Sequence, residues 1–327
     1  MPESGLPANV THTVVTVGTF DGVHRGHLDV IERLVERARD AGLPSLLVSF
    51  DPHPLEVVNP AAAPLLLTTA QEKLAVIAGT GLDYYAVMPF TPALAAYGAA
   101  EFVDRVLRAR FRMNELLIGH DHGFGHRRSG NVEVLRALGA DRGFRVDVVE
   151  PVSADDGQHI SSTSIRRFIA SGDLSRAAEG LGRPYSISGT VVAGHSRGRK
   201  LGFATLNLSP PPARKLLPPD GVYTVAVQTP AGTFGGMMNL GPRPTFDETE
   251  KSVEAHLFGV DHDFYGATVR IDLVSFLRET RRFADPSELV RQLETDRENA
   301  LRALTPLGLS GNLKGYIQTP NSTPSVA

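Results

Sequence analysis

Near residue 182 the chain changes its hydrophobic period, and that change constrains the fold more than any single motif does. Before it, short apolar runs alternate with helical patterns. "TVVTVG" (13–18), "SLLVSF" (45–50), "YYAVMPF" (84–90), "ELLIG" (115–119) and "FRVDVVE" (144–150) read as buried strands. Between them, Leu28, Ile31, Leu34, Val35 and Ala38 follow helical spacing from His27 to Ala41-Gly42. "AAEFVDRVLRARF" (99–111) and "NVEVLRALGADRG" (131–143) also read as helices, and Thr69 and Glu72 have capping-box spacing at the head of "TAQEKLAVIAG". Strands separated by helices need crossover connections, which predicts a mostly parallel sheet with helices on both faces. Beyond 182, "PYSISGTVVAG", "GVYTVAVQT", "GTFGGMMNLG", "SVEAHLFGV" and "ATVRIDLVSFL" alternate polar with apolar residues between Gly/Pro turns. That pattern predicts a small antiparallel barrel or sandwich. A terminal helix follows from about Asp285, with Leu289, Val290 and Leu293 in register.

The expected fold class is therefore α/β, with one domain over 1–182 and a second over 183–308. A length of 327 residues suits two cores. The tail at 309–327 is polar and proline-containing and is expected to be disordered. The chain has no cysteine, which excludes disulfides, thiolate metal sites and a Cys nucleophile. A net charge of −3 argues against a protein that sweeps along nucleic acid, so any polyanion it binds should be small and held locally. "MPESGLPANVTHT" lacks a basic n-region and an apolar h-region, and "VVNPAAAPLLLTTA" is too short and proline-broken to span a bilayer. The expectation is a cytoplasmic protein with neither a membrane nor a nucleic-acid partner.

"GTFDGVHRGH" (18–27) stands where the first strand gives way to a helix. Backbone N–H groups at a helix start lack helical partners and the dipole end is positive, so the position suits phosphate. Gly18 and Gly22 allow a tight turn and close approach of a ligand to backbone. His24 and His27, three apart, can converge on one spot. A capped helix with solvent-facing side chains would explain either histidine alone. The pair, directly after a strand and a glycine turn, favours a bound anion. No third ligand at zinc spacing is evident, and H-E-x-x-H and G-x-x-x-x-G-K-[ST] are absent. "ISSTSIRRF" (160–168) is the candidate second half: Ser161, Ser162, Thr163 and Ser164 precede Arg166 at a helix start. An N-cap needs one hydroxyl. Several hydroxyls with Arg166 can hold the departing diphosphate of a nucleotide.

A second unusual stretch is "GTVVAGHSRGRKLGFATLNL" (189–208). Arg197, Arg199 and Lys200 lie among Gly194, Gly198 and Gly202, which alone would be a flexible basic loop. Thr205 and Asn207 follow, two apart, so on an extended segment they face the same side. Their neutral oxygens suit a magnesium ion that keeps most of its waters and its ATP phosphates. Glu254 alternates with Val253 and Ala255 and by itself reads equally well as an outward polar residue or a base. In "DHDFYGATVRID", Asp261, Asp263, Gly266 and Asp272 stand at calcium-loop positions, but Tyr265 takes a ligand position and a strand follows, so a hairpin turn is expected.

Together these segments resemble the bacterial bifunctional riboflavin kinase/FAD synthetase family. "GTFDGVHRGH" with "ISSTSIR" is similar to the H-x-G-H and I-S-S-T-x-I-R segments of nucleotidylyltransferases. "SFDPHP" (49–54), "LTTAQEKL" (67–74) and "GHDHGFGHRRSGN" (119–131) narrow the likeness to the FMN adenylyltransferase half. "GRKLGFATLNL", "NLGPRPTF" (239–246) and "VEAHLF" (253–258) match the kinase half in order. The resemblance covers roughly residues 13 to 304. It implies a Rossmann-like nucleotidylyltransferase domain and a riboflavin kinase β-barrel with a terminal helix. It implies that His24 and His27 contact ATP phosphates beside the Gly18, Phe20, Asp21 and Gly22 turn, with the Ser161–Arg166 segment closing over them. Pro52, Pro54, Asp121 and Phe124 would border flavin and nucleotide. In the kinase half it implies Mg²⁺-ATP on Thr205 and Asn207, the basic loop with Phe203, and Asn239 nearby. Glu254 would take the proton from the ribityl hydroxyl, and Arg278 lies in a flap segment near the flavin.

Departures from the family pattern are His122 for the first phenylalanine of the Asp121–Phe124 loop, Ala204 for a proline, and Leu206, Leu240 and Phe258 for related apolar residues. Thr280-Arg281-Arg282 replaces an acidic-Gln-Lys run. The expected function is phosphorylation of riboflavin to FMN and adenylylation of FMN to FAD, with riboflavin, FMN and ATP as partners. The alternatives are a kinase with a weakened second activity and a non-catalytic flavin-binding protein.

Overall fold

The computed structural model describes residues 6–119, 123–125, 129–150, 160–193, 205–242, 251–260, 262–308 and 325–326. The chain divides into two units, Met1–Ser162 with Thr319–Ala327, and Thr163–Gln318.

The first unit is built on β1 (Thr13–Val17), β2 (Ser45–Asp51), β3 (Tyr84–Pro89), β4 (Met113–Gly119) and β5 (Arg145–Val149). They lie in the order β3-β2-β1-β4-β5, all parallel. Because helices cover both faces, the strands are apolar on both sides. Val14 packs with Ile31, Leu34 and Ala38 of α1 (Arg25–Ala41), whereas Val15 and Val17 pack on the opposite face with Phe102, Val106 and Leu107. α1 begins at Arg25 and not at the expected His27, because His24 supplies the N-cap, and Gly42 ends it with φ +64°.

α2 (Pro54–Val58) is one short turn, and α3 (Ala70–Ile77) opens with the expected reciprocal capping box of Thr69 and Glu72. α4 (Pro92–Ala95) precedes the segment expected as one helix over 99–111, which is instead α5 (Ala99–Phe102) widening into a π-helical stretch, Val103–Arg108. The wider turn buries Val103, Val106 and Leu107 together. α6 (Val132–Arg142) covers the far strands. Of the tail, 309–324 and 327 lie outside the described residues, and Ser325–Val326 pair in parallel with Tyr84–Tyr85 at the sheet edge.

The second unit contains most of α7 (Ser162–Ala170), then α8 (Leu174–Leu181) and six strands: β6 (Tyr185–Val192), β7 (Thr205–Leu208), β8 (Gly221–Thr229), β9 (Gly232–Pro242), β10 (Lys251–Leu257) and β11 (Thr268–Arg278). They close into a barrel in the order β10-β7-β6-β11-β8-β9. Every described pair is antiparallel, and closure leaves no sheet edge. Val225, Val227, Met238, Ala255 and Ile271 are buried as the strand period requires. The period changes at 182, but the units divide at Ser162/Thr163, because α8 packs on β6 and β11. The segment expected to be a hairpin turn near 261–267 joins β10 to β11, which are not neighbours in the barrel. It is a turn within a crossover, with Asp263 accepting from the Tyr265 N–H at 2.9 Å.

α9 (Pro286–Leu304), capped by Asp285, packs over β8, β9 and β11, with Leu304 against Ala226. Its anchor is Asp296, 2% exposed, which accepts from Arg278 Nε (2.9 and 3.0 Å) and Nη2 (2.8 Å) and from Gln292 (2.7 Å). Asp296→Ala would strand a guanidinium in the interface, and a loss of about 3–5 kcal/mol of stability is expected in urea unfolding. The apolar pair Arg278→Met/Asp296→Leu should recover most of it.

Candidate active sites

In the first unit β1→β2→β3 runs outward on one side, whereas β4 returns to the other side of β1. The strand order therefore reverses between β1 and β4, and ligands of such sheets bind at the carboxyl ends beside that point. The Gly18–His24 turn stands there. Phe20 (φ +47°) and Val23 (φ +41°) both occupy the left-handed region, which is costly for a β-branched residue such as Val23. A Cβ on Gly18 would lie 2.9 Å from the Phe20 ring, so only glycine lets that ring fold back.

The turn delivers His24 as the N-cap of α1. Its Nδ1 accepts from the His27 N–H at 3.3 Å, so the neutral ring carries its proton on Nε2. The two imidazoles stack at 3.6 Å with 17° between planes, and Phe20 lies 4.8 Å from His27. The first turn of α1 holds no acidic residue, so no carboxylate of that turn offsets the positive helix end. The expected convergence of the histidines is thus present.

Asp21 lines the pocket beside the turn and at the same time ties the turn to the segment before α3. It is 2% exposed, and its carboxylate accepts from the Leu67 (3.0 Å) and Thr68 (3.1 Å) N–H groups. Asp21→Ala should speed hydrogen exchange at those two amides and cost about 1–3 kcal/mol. The Asp21 carbonyl accepts from Ser162 Oγ at 2.9 Å, which joins the "ISSTS" segment to the turn. Ser161 belongs to the same unit, whereas Thr163, Ser164 and Arg166 fall in the second.

Beside the turn is a pocket lined by Thr19, Phe50, Asp51, His53, Lys73 and Tyr85. The Asp51–Pro52 peptide is cis, and Pro54 starts α2 behind the His53 cap. Phe124 packs 5.1 Å from Phe102, itself 6.3 Å from Phe50, and Asp121 lies outside the described residues. Burial pushes the Tyr85 phenol up to about 12, against a hydrogen bond shared with Ser49. Asp51 and His53 lie in "SFDPHP" and Lys73 in "LTTAQEKL", segments that carry the resemblance, but neither they nor Tyr85 were named individually as site residues. They come from β2, the loop after it, α3 and β3, and only the fold gathers them on one pocket.

In the second unit the barrel register builds the other site. Glu254 on β10 stands directly across from Asn207 on β7 and Asn239 on β9. One step along, His256 stands across from Thr205 and Met237. Directly opposed residues share a face, so Thr205, Asn207, Asn239, Glu254 and His256 form one polar patch on the outer side of the barrel wall. The intervening Val253, Ala255 and Leu206 turn to the buried side. His256 is the residue here that sequence reasoning passed over. Gly194, Arg197, Gly198, Arg199, Lys200, Gly202 and Phe203 lie outside the described residues. Arg278 is committed to Asp296 and to the Glu279 carbonyl (3.0 Å), so it anchors α9.

Thr205 and Asn207 fit the donor set of a hard cation that retains water: neutral oxygens on one face, with a carboxylate across from Asn207.

A family model described as FAD synthetase matches residues 6–164, and one described as riboflavin kinase matches residues 181–304. A bifunctional riboflavin kinase/FMN adenylyltransferase of Pseudomonas fluorescens is 37% identical over 284 residues, covering 86% of this chain and 90% of the relative. Its counterpart in Escherichia coli K12 is 37% identical over 287 residues, with the same 86% and 90% coverage. A crystal structure described as a macrolide-efflux protein from Streptococcus pneumoniae superposes with a TM-score of 0.78 at 30% identity, over 89% of this chain and 94% of that one. Among the described residues of this chain, no helix is long and apolar enough to cross a membrane. Two family models in tandem, on an α/β unit and a closed barrel, leave one conclusion: the chain belongs to the bifunctional riboflavin kinase/FMN adenylyltransferase family.

Proposed function

We propose that the barrel transfers the γ-phosphoryl group of ATP to riboflavin and that the α/β unit then adenylylates the FMN formed. In the first reaction the ribityl hydroxyl oxygen bonds to the γ-phosphorus, the bridge to the β-phosphate breaks, and ADP leaves. Glu254 takes the hydroxyl proton and orients the oxygen. The register that sets Glu254 opposite Asn207 and Asn239 carries this reading. Thr205 and Asn207 would hold a magnesium ion arriving with ATP, whose contribution is to neutralise phosphate charge. Arg278, through Asp296, steadies the segment that follows β11.

In the second reaction an FMN phosphate oxygen bonds to the α-phosphorus of another ATP, and the bond to the β-phosphate breaks, releasing pyrophosphate. That nucleophile is already anionic, so positioning and charge stabilisation suffice. His24 Nε2, His27 and the start of α1 stabilise the phosphate charge. The Ser161–Arg166 segment would hold the departing diphosphate, and Pro52, Pro54 and Phe124 border the flavin side. Both reactions draw on ATP, which supports a cytoplasmic protein.

The test is one reaction mixture of riboflavin, ATP and Mg²⁺ with the products resolved by chromatography. FMN followed by FAD and pyrophosphate is expected. Accumulation of FMN alone would reduce the chain to a kinase, and tight flavin binding without turnover of ATP would overturn both assignments.

A further inference from the structure

The Gly18–His24 turn holds two non-glycine residues at positive φ, and something has to keep it there. Near its start stands the Thr19 carbonyl, a partly buried acceptor. Two donors from other elements meet it: Lys73 Nζ of α3 at 2.7 Å, and Ser49 Oγ of β2 at 3.1 Å. The same ammonium lies 3.5 Å from Ser49 Oγ. Asp21 from the turn and Asp51 from the end of β2 both act on it favourably, while burial pushes the amine below its usual range. The lysine is thus partly buried on the pocket wall, and both acids that favour its charge flank the phosphate-binding end of the sheet. Its helix is aimed by the Thr69–Glu72 capping box directly before it.

We propose that Lys73 is a positioning residue of FMN adenylylation: its ammonium holds the Thr19 carbonyl, and through it the turn that sets His24 and His27. The role rests on assigning adenylyl transfer to the α/β unit. Lys73 meets the turn at the Thr19 backbone oxygen, so it acts on the reaction through backbone. It also compensates Asp21 and Asp51, whose uncompensated charge would repel incoming phosphate. Ser49 is the second hand on the same carbonyl, so the two donors should be coupled.

The experiment uses the full chain, with the riboflavin kinase rate of the same preparation as an internal reference. Lys73→Met should lower kcat for FAD formation from FMN about 10- to 100-fold, since small misplacements of a reacting geometry have effects of that size. KM for FMN and ATP should change by less than about three-fold, and FMN formation should be unaltered. Lys73→Arg, which keeps a cationic donor for the carbonyl, should restore most of kcat. Ser49→Ala should have a milder effect, and its combination with Lys73→Met should be non-additive.

A general structural role predicts instead that residual activity follows the folded fraction, measured by circular dichroism, with per-molecule kcat unchanged. That result overturns the proposal. So does full kcat in Lys73→Met, or failure of Lys73→Arg to exceed it. If Lys73→Met does not fold, Ser49→Ala and Lys73→Arg decide alone: wild-type kcat in Ser49→Ala together with no recovery in Lys73→Arg overturns the role. Normal FAD formation in His24→Ala would refute the underlying site assignment, whatever Lys73 does.

Discussion

Glu254→Gln is expected to lower FMN formation about 10²- to 10⁴-fold while FAD formation from supplied FMN stays within about two-fold of wild type. The substitution keeps the size and hydrogen-bonding reach of the side chain, so the barrel register through Asn207 and Asn239 should survive. What it removes is a proton acceptor. A positioned general base contributes roughly 10²- to 10⁴-fold to such a step, and loss of kcat in that range with little change in KM is the signature. Measurement is by coupled ADP release with riboflavin, set beside pyrophosphate release with FMN. Loss of both activities in a folded variant would refute the division of labour between the units.

His24→Ala should show the mirror image. FAD formation should fall by about 10²- to 10³-fold, the usual effect of removing one donor to developing phosphate charge, and FMN formation should be retained. The alanine also removes an N-cap, which costs about 0.5–2 kcal/mol, so stability must be followed in parallel. His24→Asn separates the two roles. Asparagine caps helices well, so this variant should melt near wild type yet remain deficient in FAD formation. Recovery of the activity by asparagine would make His24 a cap alone. His27→Ala should follow His24→Ala in activity, because the two rings stack at 3.6 Å.

Much of this was readable in advance where the cause is local. The Thr69–Glu72 box, the Gly42 stop and the Asp285 cap each involve residues within four positions, and all three are present. The H-x-G-H pair converges because three residues make nearly one helical turn. The helix over 99–111 shows the limit: its apolar spacing cannot distinguish an α-helix from one that widens to a π-turn to seat Val103, Val106 and Leu107 on the sheet. β7 was legible only as extended chain, because four residues carry too little period to reveal that they complete a barrel. Arg278 illustrates a different gap. Its sequence neighbours suggest a flavin-side residue, and only the docking of α9 brings Asp296, 18 positions on, to its guanidinium.

The sequence by itself determined the kinds of element, where most of them start and stop, the presence of two cores, and the convergence of the His24–His27 pair. Those follow from residue period, capping and turn chemistry, which act over a few residues. Tertiary structure alone decided that β4 returns beside β1 and opens the crevice at the Gly18–His24 turn. It also decided that Glu254 faces Asn207, and that Lys73 reaches the Thr19 carbonyl. Strand order and register depend on how distant apolar faces pack together. A change of one residue in register would move Glu254 to the buried side without altering the local pattern.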